Sequence, residues 1–307
     1  MLSESRLEIG LVLPMLEAPQ SGEKPPWVAI KTMAQQAEAM GFDTVWIADE
    51  LLWRVPDWPG ARGWWECVSM TGAVAASTST IGVGTWVLSA LHRNPGLTVK
   101  IAETLDEISG GRFLFGLGAG HAGDQGATFG YPADKTVSRY EEALEIIVPT
   151  LRGETASRDG QYHRARELEI RPRGPRSGQI PLMLGAHGPR TMRLAAQHAD
   201  IWSAFATESS LPEWFEPMVG RLDEACVEVG RDPGKLGRSV GVFVEPTDQH
   251  TAEAAGLGIP ITGSPTEIAD TIARFQAIGA TRVELMLWPN TPDSLEAVRP
   301  AIELLNG

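Results

Sequence analysis

Asp49-Glu50 is a pair of adjacent carboxylates just after an apolar run, and His121 follows a second apolar run that ends in alternating glycines. Such groups at strand ends suit acid–base work: a carboxyl raised by burial can donate a proton, and an imidazole titrates near neutral pH. One of Asp49 and Glu50 accepts hydrogen bonds from a ligand or, protonated, acts as an acid; the alternative is that either caps the following loop. His121 either moves protons to a cofactor or substrate, or bonds to nearby backbone. Gly185-Ala186-His187-Gly188-Pro189-Arg190-Thr191 suggests anion binding instead. Its glycines admit close backbone approach, Pro189 opens a helix, and the N–H groups at that helix start suit a phosphate, with Arg190 adding a charge-assisted contact. The alternative is a plain turn with a solvated arginine. Trp53, Trp58, Trp64 and Trp65 crowd one segment, where they form either an apolar pocket wall or a dimer contact.

Other chemistries lack their residues. His92, His163, His198 and His250 show no metal-ligand spacing, and no H-x-x-x-H, C-x-x-C or G-x-S-x-G occurs. Cys67 and Cys226 fall in helical patterns and read as buried small residues. A net charge of −13 argues against nucleic acid or an anionic membrane as the main partner, leaving a small-molecule substrate. No apolar run reaches membrane-span length and the N-terminus carries no signal-like hydrophobic region, so a cytoplasmic protein is expected. Gly118-Ala119-Gly120-His121-Ala122-Gly123 fits G-x-G-x-x-G, but the following Asp124–Pro132 is glycine-broken without an apolar stripe, which argues against a dinucleotide fold.

Those groups need a scaffold. Strand patterns alternate with helix patterns along the chain, and eight of each predict a (β/α)8 TIM barrel, an α/β single domain over residues 1–307. The third strand is expected over Thr80–Leu88 and the fourth from Arg112. Insertions fall at 50–64, 121–138, 153–180 and 246–263. In such a barrel, catalytic groups follow the strands, at one rim. Gly116, Gly118 and Gly120 predict a strand exit bare enough for a flat ligand to lie on. The arginines at 158, 164, 166, 171, 173 and 176 sit between a helix and a strand, hence away from that rim. They read as a solvated hairpin partly neutralised by Asp159, Glu167 and Glu169.

Four motifs add a family resemblance: GxDTVWxAD from residue 41, RNPxLTVKxAxTLDxxSGGRFxxGLGAG at 93–120, FGYP…SRYEEALEII at 129–147, and LGAHGPRTMRLAAQHADIW. Together they resemble the bacterial luciferase-like superfamily, whose members are (β/α)8 barrels, commonly dimers, that bind FMN or the deazaflavin coenzyme F420. The chain looks closer to the F420-dependent branch. The resemblance places Asp49 on that branch's strand-two aspartate, and Thr85, Trp86 and Val87 on a segment that often holds a non-prolyl cis peptide against the deazaflavin. Ala186, His187 and Gly188 fall on its phosphate-binding amides. Two departures stand out: Glu50 replaces a histidine, and His121 stands where sugar-phosphate dehydrogenases carry a catalytic glutamate, which argues against a glucose-6-phosphate substrate.

The implied protein is an F420-dependent oxidoreductase moving a hydride to or from a small organic substrate. Its ring would lie near Thr85–Val87 and Ala119–Gly120, with the phosphate at Gly185–Gly188 and Arg190. His121 or Glu50 would handle the proton, and Trp53 would wall the pocket. A two-component monooxygenase using reduced FMN and oxygen is one alternative. Another is a cofactor-free barrel, a glycoside hydrolase or a binding protein, in which Asp49-Glu50 and the tryptophans stack a sugar.

Overall fold

A computed structural model describes residues 6–56, 58–121, 123–132, 134–247, 251–254 and 256–307. The fold is the expected (β/α)8 barrel, a closed ring of eight parallel strands. The strands are β1 Glu8–Val12, β2 Thr44–Ile47, β3 Gly82–Thr85, β4 Phe113–Gly118, β5 Leu182–Gly185, β6 Ile201–Phe205, β7 Gly237–Val244 and β8 Arg282–Leu287. The main helices are α1 Trp27–Met40, α2 Cys67–Ser77, α3 Pro95–Ser109, α4 Thr136–Leu151, α5 Pro189–His198, α6 Pro212–Glu228, α7 Pro265–Ala277 and α8 Pro292–Asn306. Among the described residues, no helix is long and apolar enough to cross a membrane.

By its internal contacts the chain divides into two compact units. The first comprises Met1–Pro14, Trp27–Trp46 and Ala186–Gly307. There β1 pairs with β8 (Ile9 opposite Val283), and β7 pairs with β6 and β8. Helix α1 buries Ile30, Met33, Ala34, Ala37 and Met40, the one-sided stripe its sequence spacing requires. Helix α7 begins in a reciprocal capping box between Ser264 and Glu267, with Pro265 in the first turn.

The second unit comprises Met15–Pro26 and Ile47–Gly185. In it β4 pairs with β3 (Val83 opposite Phe113) and with β5 (Phe115 opposite Leu182). Helix α3 is stopped and started by local rules. Asn94 accepts the Gly96 and Leu97 amides, and Gly110 ends the helix at φ 63°, which a side chain disfavours. This helix delivers the chain into β4.

Three expectations change. The third strand is not continuous over Thr80–Leu88: it ends at Thr85 and resumes as Leu88–Ser89 beside Leu117–Gly118, with the Trp86–Val87 peptide cis between. That isomer is the one the family resemblance implied. Gly123–Phe129 is helical, although no apolar stripe marks it, so the fingerprint-like run does open a helix. The barrel topology, rather than a missing helix, is what excludes the dinucleotide reading. The arginine segment does form a hairpin, Ala156–Asp159 with Arg164–Leu168. Its ion pairs are only partly the expected ones: Arg164–Asp159 and Arg171–Glu169 occur, whereas Arg158 pairs with Glu145 of α4. Arg173 and Arg176 reach the buried Glu103 and Asp106 of α3, which pin this insertion to the helix.

Candidate active site

Asp49 follows β2 and its side chain is almost wholly buried, 1% exposed. The Ser89 amide donates to its Oδ2 at 2.8 Å, and Arg93 makes a two-pronged contact, Nη1 to Oδ2 at 2.6 Å and Nη2 to Oδ1 at 3.1 Å. His92 Nδ1 stands 3.4 Å from Oδ2, too poorly aligned for a full hydrogen bond, and its ring stacks on Tyr131 at 4.8 Å. Arg93 continues to Glu66 (2.9 Å), which itself caps α2 by accepting the Val68 and Ser69 amides. Burial alone would raise the Asp49 carboxyl. The close approach of His92 and the hydrogen bonds and charge of Arg93 outweigh it and hold the group below its ordinary value. Asp49 is therefore biased toward its ionised form, and both of its oxygens accept hydrogen bonds from its own chain. It ties the end of β2 to the chain from Ser89 to Arg93.

That chain also changes the meaning of the glycines in β4. A Cβ on Gly116 would stand 1.9 Å from the Thr85 carbonyl oxygen, and one on Gly118 would stand 2.8 Å from Val87 Cγ2. Gly120, at φ 88°, faces Ser89 Oγ and Leu91. These glycines make room for residues 85–91, not for a bare seat under a ligand. Thr85 is likewise turned inward, its hydroxyl donating to the Gly116 carbonyl at 2.7 Å. Trp86 and Val87 are half-buried, as are Ala119 and Gly120. Gly116→Ala is expected to lower the urea midpoint by an amount worth about 1–3 kcal/mol, because the obstacle is backbone. An unchanged midpoint would show that the 85–91 segment yields freely.

Glu50 sits in a different setting. Trp53 Nε1 donates to its Oε2 at 3.1 Å, and Gln125 Nε2 donates to the same oxygen. Burial raises its proton affinity and the adjacent Asp49 charge adds to this; the two hydrogen bonds and the nearby His121 oppose them only in part, so the net shift is upward. The two neighbouring carboxyls are thus shifted in opposite directions, a pattern that suits an acid–base site. Trp53, Gln125 and the exposed His121 line a cavity of about 290 Å³ with Leu52, Arg54 and Val55. Trp53 packs against Trp58 and Trp64, centroids 6.3 and 5.2 Å apart, so the tryptophans form a cluster bordering this cavity.

The start of α5 is built in the other unit. Gly188 is its N-cap without a side-chain cap, and Pro189 lies in the first turn. Burial and the Arg221 charge hold His187 below the usual imidazole range, and its ring stands edge-on to Phe205 at 5.2 Å. Ala186 departs from expectation: its amide donates to the Ser203 carbonyl at 3.0 Å, so the sheet has already taken that N–H. His187, Gly188, Pro189 and Arg190 at this helix start are exposed.

Sequence reasoning missed Ser89, Arg93, Glu66 and Gln125. None of the four carried a pattern that marked it in advance. Ala122 and His250 lie outside the described residues. Among the described residues no cluster of three or more His, Cys, Asp or Glu could hold a metal ion.

Comparison with known proteins agrees with this architecture. The profile of luciferase-like monooxygenases matches residues 7–256. A 5,10-methylenetetrahydromethanopterin reductase from Archaeoglobus fulgidus is 32% identical over 241 residues, covering 76% of this chain and 66% of that enzyme. An F420-dependent glucose-6-phosphate dehydrogenase from Microbacterium testaceum is 32% identical over 64% of this chain and 57% of its own length. The chain thus spans about two thirds or less of these two relatives. In structure, an F420-dependent secondary alcohol dehydrogenase in complex with an F420-acetone adduct superposes with TM-score 0.79 at 17% identity, over 97% of this chain and 98% of that one.

Proposed function

Because the chain belongs to the luciferase-like monooxygenase family, we propose that it is an oxidoreductase using coenzyme F420 to exchange a hydride with a small organic substrate. Its similarity to reductases and dehydrogenases, one of them F420-dependent by name, supports the deazaflavin over FMN. The observation that carries the chemistry is Glu50, a carboxyl whose proton affinity is raised by burial and which is hydrogen-bonded to two residues that line a cavity, Trp53 and Gln125.

The residues present fit such a coenzyme. The cavity of about 290 Å³ is close to the lower bound for small-molecule sites and suits a small substrate. Trp53 offers it an aromatic wall, and the half-buried Trp86–Val87 segment would hold the ring. Taken by itself, the α5 start, uncapped by any side chain, suits an anion. Bound F420 supplies the hydride chemistry. The protein's part is then positional and protonic. Asp49 and Arg93 hold the segment that carries Trp86 and Val87, and the tryptophans exclude water from the cavity. Glu50 in its acid form delivers a proton to the substrate oxygen or nitrogen as the neighbouring carbon is reduced, and recovers it in the reverse direction. His121, at the cavity edge, is the alternative carrier.

Titrating the protein with F420 is expected to quench the emission of its 10 tryptophans saturably, while FMN at equal concentration does so weakly. Tight FMN binding with oxygen consumption in the presence of a flavin reductase would replace this reading with a monooxygenase. Binding of neither would remove the coenzyme altogether.

A further inference from the structure

Gln125 is an interior side chain, 2% exposed, on the short helix Gly123–Phe129, and its amide is fully committed. Its Oε1 accepts the Leu51 amide at 2.8 Å, and its Nε2 donates to the His121 carbonyl at 2.9 Å and to Glu50 Oε2. The orientation of that amide is forced. The Leu51 N–H can only donate and the His121 carbonyl can only accept, so turning the amide over would set donor against donor and acceptor against acceptor. The NH2 group must therefore face Glu50. With Trp53 donating to the same Oε2, that oxygen is occupied twice, whereas no bond to Oε1 is found among the described residues.

We propose that Gln125 is a positioning residue for Glu50: it keeps the carboxyl proton on Oε1, and it restrains the proton affinity of that group. The inference rests on Glu50 being the proton donor proposed above. Its sign follows from the bonds. A donor to a carboxylate stabilises the ionised form, so Gln125 and Trp53 work against burial. The charged or titratable groups acting on Glu50 are His121, which favours ionisation, and Asp49, which opposes it. Gln125 also joins the 50–64 insertion to the 121–138 insertion, so the carboxyl and the backbone carrying His121 keep a fixed relation.

The test uses the protein without coenzyme. Difference infrared spectra across a pH titration follow the C=O stretch of protonated carboxyls, and the band absent in Glu50→Gln identifies this one. In the wild type that band should disappear at a pH above the ordinary carboxyl range. Gln125→Met, similar in length but unable to donate, should move the midpoint up by about 1 pH unit, a tenfold change in proton affinity. Gln125→Glu keeps an acceptor for Leu51 and should move it further, because two carboxyls then share a proton. It also carries the test if the methionine variant does not fold. Wild-type midpoints in both variants would overturn the proposal. Absence of any Glu50 band in the wild type would instead overturn Glu50 as proton donor, and failure to bind F420 would touch neither result.

Discussion

Glu50→Gln is expected to lower turnover by about 10²–10⁴-fold, the contribution typical of a positioned general acid, while F420 should still quench tryptophan emission at similar concentrations. Glutamine keeps the shape of the side chain and an oxygen for Trp53 Nε1 and Gln125 Nε2, so the cavity wall survives. It loses the one property that matters, a transferable proton on the second oxygen. The pH profile separates this from a loss of packing. Burial raises Glu50, so its acid form persists to a higher pH than that of an ordinary glutamate. In the direction of substrate reduction, wild-type kcat/KM should therefore fall as pH rises through that raised value, and the glutamine variant should lose this limb. Asp49, held in the opposite direction, contributes no such limb near neutral pH. Equal rates for wild type and Glu50→Gln, with a large loss in His121→Ala, would transfer the role to His121.

The parts of this molecule governed by near neighbours are legible in the order of its amino acids. Asn94, Pro95 and Gly110 start and stop α3 by rules that act within a few residues, and the Ser264–Glu267 box is equally local. Alternation of such elements is enough to predict the barrel. The helix Gly123–Phe129 escapes because it is too short to show a stripe; among its described side chains Gln125 and Gly126 alone are buried. The break at Trp86–Val87 is a backbone isomer, to which a hydrophobic pattern is blind, and only the family resemblance points to it. The glycines of β4 do mark an absence of side chains, but a sequence does not say whether a ligand or the protein's own chain fills the space. Asp49 and Glu50 stand out as a pair without being distinguishable from each other. What distinguishes them lies far along the chain: Ser89 and Arg93 are 40 and 44 residues from Asp49, and Gln125 is 75 from Glu50.

Asp49→Ala removes the hub on which that distinction depends, and the expected cost is about 3–5 kcal/mol of unfolding free energy, the usual penalty for orphaning a buried ionic partner. Arg93, 12% exposed, would keep only Glu66, and the buried Ser89 amide would lose its acceptor. Asp49→Asn should fall between, since its oxygen serves one donor while its NH2 meets the others head-on. The pH dependence has a definite sign. The folded Asp49 carboxyl lies below its unfolded value, near 3.8, so its stabilisation is complete above that value and is lost as pH falls through the folded one. Urea midpoints of wild type and Asp49→Ala should thus differ widely at neutral pH and draw together in acid. A gap that stays constant into acid would mean that Asp49 acts by filling space, and a gap under about 1 kcal/mol at neutral pH would mean that Ser89 and Arg93 find other partners. The loss should also be felt at the site. Protection of the amides of residues 85–93 against hydrogen exchange should fall first, because the carboxylate that ties β2 to Ser89 and Arg93 is then missing.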